Sequence, residues 1–146
     1  MNITKDTYRK IKEYMSGASE TEYGGYIAKG FSCKIICDFV PDASGSGKSR
    51  FYPNKDILLN SVKRWNKDSL VFCGIIHSHP KNGSCRLSVA DENYAAKFLE
   101  LNPDFKDVYF PIFFMGNLYV YSVSRSERAE ILICEEDLIV VEDQQI

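Results

Sequence analysis

Apolar positions along the chain fall into two periods. Tyr8, Ile11 and Met15 recur at helical spacing and predict an amphipathic helix over 5–16, broken by Gly17-Ala18-Ser19. Ile57, Leu58, Val62 and Trp65 predict a second helix over 55–66. Ala90, Tyr94, Phe98 and Leu101 predict a third over 88–101, ended by Asn102-Pro103-Asp104. Strands are expected near 25–29 and 33–40, followed by a Gly/Ser loop from Asp42 to Arg50. The run Leu70 to Ile76 is continuously apolar and predicts a buried central strand over 70–77. Strands near 108–114 and 118–124 are joined by Gly116-Asn117, a hairpin turn, and another strand is expected near 129–134. An acidic tail, 135–146, carries an apolar island from Leu138 to Val141. Helices interspersed with strands predict one α/β domain over 1–146, with its core at about 5–134, as three layers around a mixed β-sheet.

The central strand ends in His77-Ser78-His79-Pro80. Side chains alternate faces on a strand, so His77 and His79 point the same way, their Cα atoms roughly 6.5–7 Å apart. Pro80 cannot donate to a sheet ladder and should end the strand. Both rings can therefore converge on one metal ion at a strand end. These are the only two histidines in the chain. Two imidazole nitrogens with one carboxylate oxygen favour zinc, which in a catalytic site keeps a fourth position for water. Asp91 is the candidate third ligand. It lies three residues after Ser88, where the third helix begins, so Ser88-x-x-Asp91 also reads as a capping-box-like start. A residue at a helix start can serve both roles. Glu92 and Cys85 are alternative ligands.

A zinc hydrolase also needs a group to take a proton from water. Glu22, just before Gly24-Gly25 and a strand, is the candidate; the alternative is an exposed acid at a helix-to-strand turn. Ser44 to Ser49 imitates a phosphate-binding loop, but position 42 is Asp where the motif needs Gly, and Pro53 opposes a helix directly after it.

Composition narrows the classes further. The 146 residues are 45% hydrophobic and 13% aromatic, enough for a core. A net charge of −2 without a basic run gives no nucleic-acid footprint. No apolar stretch is long enough for a membrane helix, and residues 1–6 lack the apolar centre of a signal peptide. Five cysteines, at 33, 37, 73, 85 and 134, form no Cys-x-x-Cys pair and suit a reducing cytoplasm.

Taken together, Glu22 before Gly-Gly and a strand, a strand ending in His-Ser-His-Pro, and Ser-x-x-Asp opening a helix resemble the JAMM/MPN (JAB-domain) zinc metallopeptidases, in particular their compact bacterial branch. The resemblance covers roughly residues 5–125. It implies the JAB/MPN fold, related to the cytidine deaminases. It implies that one zinc ion is held by His77, His79 and Asp91, with Glu22 as general base and acid and Ser88 stabilising the oxyanion. It also implies hydrolysis of the amide bond after the Gly-Gly tail of a ubiquitin-like protein or its conjugates, in a bacterial conjugation or sulfur-carrier system with separately encoded E1- or E2-like proteins. One departure is the spacing between His79 and Asp91, eleven residues where the family usually has ten, which falls in the 81–87 loop. The alternative within the family is a non-catalytic scaffold, which generally loses metal ligands. A zinc deaminase would need a Cys-x-x-Cys element, absent here, and a DNA-associated relative would need basic excess.

Overall fold

The computed structural model describes residues 1–18, 20–47 and 50–143. Its helices are α1 (Lys5–Met15), α2 (Lys55–Lys67) and α3 (Val89–Leu101). Each opens on a side-chain cap: Thr4 accepts from the Thr7 amide, Asn54 from Asp56 and Ile57, and Ser88 from Asp91. These caps satisfy amides that the first turn leaves without helical partners.

The strands are β1 (Asn2–Thr4), β2 (Gly24–Gly30), β3 (Ile35–Pro41), β4 (Leu70–Ser78), β5 (Asp107–Tyr109), β6 (Ile112–Phe114), β7 (Asn117–Arg125), β8 (Ile131–Glu136) and β9 (Ile139–Val141). All join one mixed sheet. β2 and β4 pair antiparallel at its centre, and β3 lies antiparallel on β2. β1 and β9 extend that side in parallel. On the other side of β4, β5 and β6 run parallel to it, and β7 and β8 follow antiparallel.

The sheet buries both faces. Ile11 and Met15 of α1 pack with Ile3, Ile27, Ile36 and Ile76 on one face. Trp65 of α2 and Ala95 and Leu99 of α3 pack with Tyr26, Phe72, Ile75 and Val108 on the other. The fold is therefore the mixed α/β architecture expected, a sheet with helices on both sides. None of the helices among the described residues is long and apolar enough to cross a membrane.

The expected single strand over 108–114 is divided at Phe110-Pro111. Pro111 has no N–H to give the ladder. Both halves still lie between β4 and β7, and the Pro111 carbonyl accepts from the His77 amide at 3.3 Å. The sheet also reaches beyond the expected core of 5–134. Asn2, Ile3 and Thr4 pair with Ile139, Val140 and Val141, and the Ile139 amide donates to the Met1 carbonyl at 3.0 Å. The apolar island of the tail is thus a strand. Residues 144–146 of the tail lie outside the described residues.

A bulge in β4 decides which face carries the histidines. Ile27 pairs with Gly74 and Ala28 with Phe72, so Cys73 is the extra residue. Phe72 and Ile75 consequently share the α2/α3 face although three positions apart. Alternation from Ile75 then sets His77 and His79 on that same face.

The loop from β3 to α2 is anchored by Asp42, which is wholly buried. Its carboxylate accepts from the Tyr26 hydroxyl (2.5 Å), the Asn54 amide (2.7 Å), the Gly45 amide (3.0 Å) and the Ser44 hydroxyl (2.7 Å). Burial alone pushes this carboxyl up, but the donors outweigh it and hold it below the usual range. A folded-state value below the unfolded one contributes stability that is present above the unfolded value and lost as pH falls through the folded one. Asp42→Ala leaves buried donors unpaired and is expected to cost about 3 kcal/mol in urea unfolding at pH 7. The gap between variant and wild type should narrow as the pH is lowered below about 4.

Candidate metal centre

Sheet register brings the candidate residues together. Gly24 pairs with His77 across β2 and β4. One step further the Ser78 amide donates to the Tyr23 carbonyl (2.8 Å), and the Tyr23 amide to Ser78 Oγ (2.9 Å). Continuing that register sets Glu22 opposite His79, and opposed residues share a face. Glu22 is fixed from its other side as well: its amide donates to the Gly47 carbonyl (2.7 Å) and its carbonyl accepts from the Gly47 amide (3.2 Å). It is 8% exposed, which excludes the reading of a solvated turn residue. On the far side of β4, the His79 amide donates to the Phe113 carbonyl at 3.0 Å. The N-terminus of α3 then delivers Asp91.

His77 Nε2 lies 3.1 Å from His79 Nε2 and 3.1 Å from Asp91 Oδ1, and His79 Nε2 lies 3.0 Å from Asp91 Oδ2. Four ligands at zinc bond lengths of about 2.0–2.1 Å stand about 3.3 Å apart in a tetrahedron, close to these separations. The tautomer of His79 matters here. Its Nδ1 is 2.8 Å from the Ser84 carbonyl, an acceptor only, so Nδ1 carries a proton. A neutral His79 therefore turns an Nε2 lone pair toward His77 and the Asp91 carboxylate. Converging lone pairs of this kind fit a cation, and a carbonyl on the outer nitrogen of a ligating histidine is the usual supporting arrangement.

Glu22, His77 and His79 also lie close enough to hold a metal ion, with ligand atoms within 4.8 Å of one another. Two triads thus share the histidines, and the one with Asp91 is the tighter. Burial pushes the Asp91 carboxyl up, but the His77 and His79 contacts and the Ser88 amide overcome it and hold it well below the ordinary carboxylate range. Burial also dominates at Glu22 and raises it, only partly offset by the two histidines. At His79, burial lowers the imidazole, while Asp91 and the Ser84 carbonyl more than compensate, so the net shift is upward.

Ser88 is the N-cap of α3, and the full capping box is present: the Asp91 amide donates to Ser88 Oγ (3.1 Å) and the Ser88 amide to Asp91 Oδ2 (2.8 Å). Asp91 thus caps the helix and meets the histidines with the same carboxylate. Because Ser88 Oγ accepts there, its hydroxyl hydrogen is left for another partner, and the residue is exposed. Of the alternative ligands, Glu92 is exposed and borders a different hollow with Arg86 and Tyr121. Cys85 is tied through its carbonyl to the Tyr121 hydroxyl at 2.7 Å, and among the described residues it joins no metal-ligating group.

That bond and the His79–Ser84 contact pin the longer 81–87 loop at two points, and Gly83 closes a turn onto the Pro80 carbonyl at 2.8 Å. In the imitation phosphate loop, Lys48 and Ser49 lie outside the described residues, and the next helix begins only at Lys55.

One feature beside the site has no signal in any single segment. Phe51, from the loop before α2, lies with its ring against Gly24 and Gly45. A Cβ on either glycine would come within 2.6 Å of that ring. Phe51, Ile75, Tyr94 and Phe110 border a hollow that also reaches His77 and Asp91.

Among solved structures the chain is similar to protein DSY2949 from Desulfitobacterium hafniense, a solution structure with a TM-score of 0.69. The two are 18% identical over 97% of this chain and 93% of that one. It is also similar to AF2198 from Archaeoglobus fulgidus, described as a JAB1/MPN domain protein, with a TM-score of 0.53 and 21% identity over 97% of each chain. At these identities the likeness is one of fold, and it agrees with the JAB/MPN architecture expected from the motif. No family model and no curated protein matches the sequence.

Proposed function

We propose that the chain is a zinc-dependent peptidase or isopeptidase that hydrolyses the amide bond after the Gly-Gly tail of a ubiquitin-like protein. The observation that carries this reading is the convergence of His77 Nε2, His79 Nε2 and the Asp91 carboxylate to 3.0–3.1 Å, with a buried Glu22 beside them. These three residues would hold one zinc ion per chain. Bound zinc supplies a Lewis acid and lowers the pKa of water to about 7.

The remaining work falls to the chain's own side chains. Glu22 accepts a proton from the attacking water and hands it to the leaving nitrogen. Its burial suits that task, since a carboxylate with a raised pKa takes up protons more readily. The Ser88 hydroxyl donates to the carbonyl oxygen as negative charge develops there. Its position is set by the cap it forms with Asp91, so the same turn of backbone orders a ligand and an oxyanion donor. The Gly-Gly substrate and separately encoded E1- or E2-like partners follow from the family resemblance. A cytoplasmic setting suits the free thiols among the described residues.

The test is metal content by mass spectrometry on untagged protein, with cleavage of a Gly-Gly-containing peptide followed in parallel. One zinc per chain, and cleavage that a chelator abolishes and added zinc restores, are expected. Protein that neither carries zinc nor takes it up would instead fit the scaffold alternative.

A further inference from the structure

Beside the proposed metal centre, Phe51, Pro53, Ile75, Tyr94 and Phe110 enclose a hollow of about 150 Å³ that opens on His77 and Asp91. An apolar cavity of about that volume takes a benzene ring. The exposed residues Arg50 and Ala90 also border it. Among the described residues lining it, Asp91 is the one carboxylate, and that group is already engaged by both histidines. A wider hollow of about 320 Å³ is bordered by His79 together with Met15, Ser78, Lys81 and Met115. The centre thus touches two unlike spaces, an aromatic and narrow one at His77 and Asp91 and a wider one at His79.

We infer that the aromatic hollow receives the side chain of the residue released by cleavage, and that this residue is bulky, apolar and joined through its α-amino group. The inference rests on the peptidase reading above and deepens it. A Gly-Gly tail has no side chain to place, so a side-chain hollow beside the reacting bond serves the leaving group. A lysine joined through its side chain would bring a polar linkage and, beyond it, polypeptide backbone into an apolar enclosure with a cation, Arg50, on its border. A phenylalanine or leucine fits both volume and polarity. In the reaction, the oxygen of water bonds to the glycine carbonyl carbon and the C–N bond breaks. Glu22 carries the proton to the departing α-amine. The products are a glycine carboxylate and a free amino terminus on the apolar residue.

The experiment uses the zinc-loaded full chain and three matched peptides: Gly-Gly followed by Phe, Gly-Gly followed by Ala, and Gly-Gly linked to the ε-amine of lysine. Filling an apolar pocket is worth roughly 10- to 200-fold in selectivity, so kcat/KM for the Phe peptide should exceed the Ala peptide by about tenfold or more. The lysine-linked peptide should be the poorest. Ala90→Leu places extra volume at the hollow from an exposed helical position that accepts leucine well. In that variant the Phe-to-Ala ratio should collapse toward one. Equal rates in the wild type, a preference for the lysine linkage, or a ratio unmoved by Ala90→Leu would each overturn the inference while leaving the peptidase reading in place. No cleavage of any of the three by zinc-bound protein would overturn the peptidase reading and this inference with it.

Discussion

Glu22→Gln is expected to keep one zinc per chain and lower kcat by about 10²- to 10⁴-fold, the usual contribution of a positioned general base. Glutamine has the same shape, and the backbone at this position is locked to Gly47 by two hydrogen bonds, so the variant changes charge and basicity rather than geometry. The same substitution tests which carboxylate is the ligand. Glu22 comes within 4.8 Å of both histidines, so a ligand role for it is geometrically open. In that case zinc affinity would fall together with kcat. If zinc stays and turnover stays, Glu22 is neither base nor ligand. Stability should move the other way from activity. Burial raises the Glu22 carboxyl, which means that the folded state disfavours its ionised form. Removing that charge should leave the metal-free variant at least as resistant to urea as the wild type, a trade of stability against function common at catalytic sites.

How much of this was readable in the sequence depends on how local each signal was. The run Leu70 to Ile76 and the alternation of His77 and His79 sit within ten residues, and the structure has the run and His77 on one strand, with His79 directly after it. Ser88-x-x-Asp91 is equally local: the cap is formed, and the same carboxylate lies 3.0 Å from His79 Nε2, the placement that a ligand role requires. β1 and β9 were missed because three residues carry no period, and they become strands only through distant partners, β1 between β3 and β9 and β9 on β1 from the other end of the chain. The break at Phe110-Pro111 was signalled by proline but hidden inside a run that otherwise reads as continuous strand. The hollow beside the centre was the least legible. It needs Phe51 seated against Gly45 of its own loop and Gly24 of β2, a meeting set by how the loop from β3 to α2 folds back onto the sheet. Glu22 falls between these cases. Its residue type and the following glycines were visible, but its burial and placement opposite His79 depend on how β2 pairs with β4.

Asp91→Ala should lower zinc affinity by at least about 100-fold, since loss of an outer partner of a ligand already costs 10- to 100-fold. Activity should go with the metal. The variant also removes half of the capping box, because Asp91 Oδ2 accepts from the Ser88 amide, and lost caps cost about 0.5–2 kcal/mol. A weakened α3 could by itself loosen the site, so Asp91→Asn is needed alongside. Asparagine keeps a carbonyl oxygen for the Ser88 amide but carries no charge to a cation. If Asp91 acts as a ligand, both variants lose zinc, and the alanine variant, which loses the cap as well as the charge beside the histidines, loses more stability in urea than the asparagine variant. If Asp91 acts through the helix alone, Asp91→Asn keeps zinc, because it keeps the cap. A variant Asp91→Ala that binds zinc as tightly as the wild type would move the third ligand to Glu22, the other carboxylate beside the histidines, and would take the general base from the position assigned to it. The two carboxylates therefore cannot exchange roles without both sets of variants reporting it: zinc titration separates ligand from base, and urea unfolding separates ligand from cap.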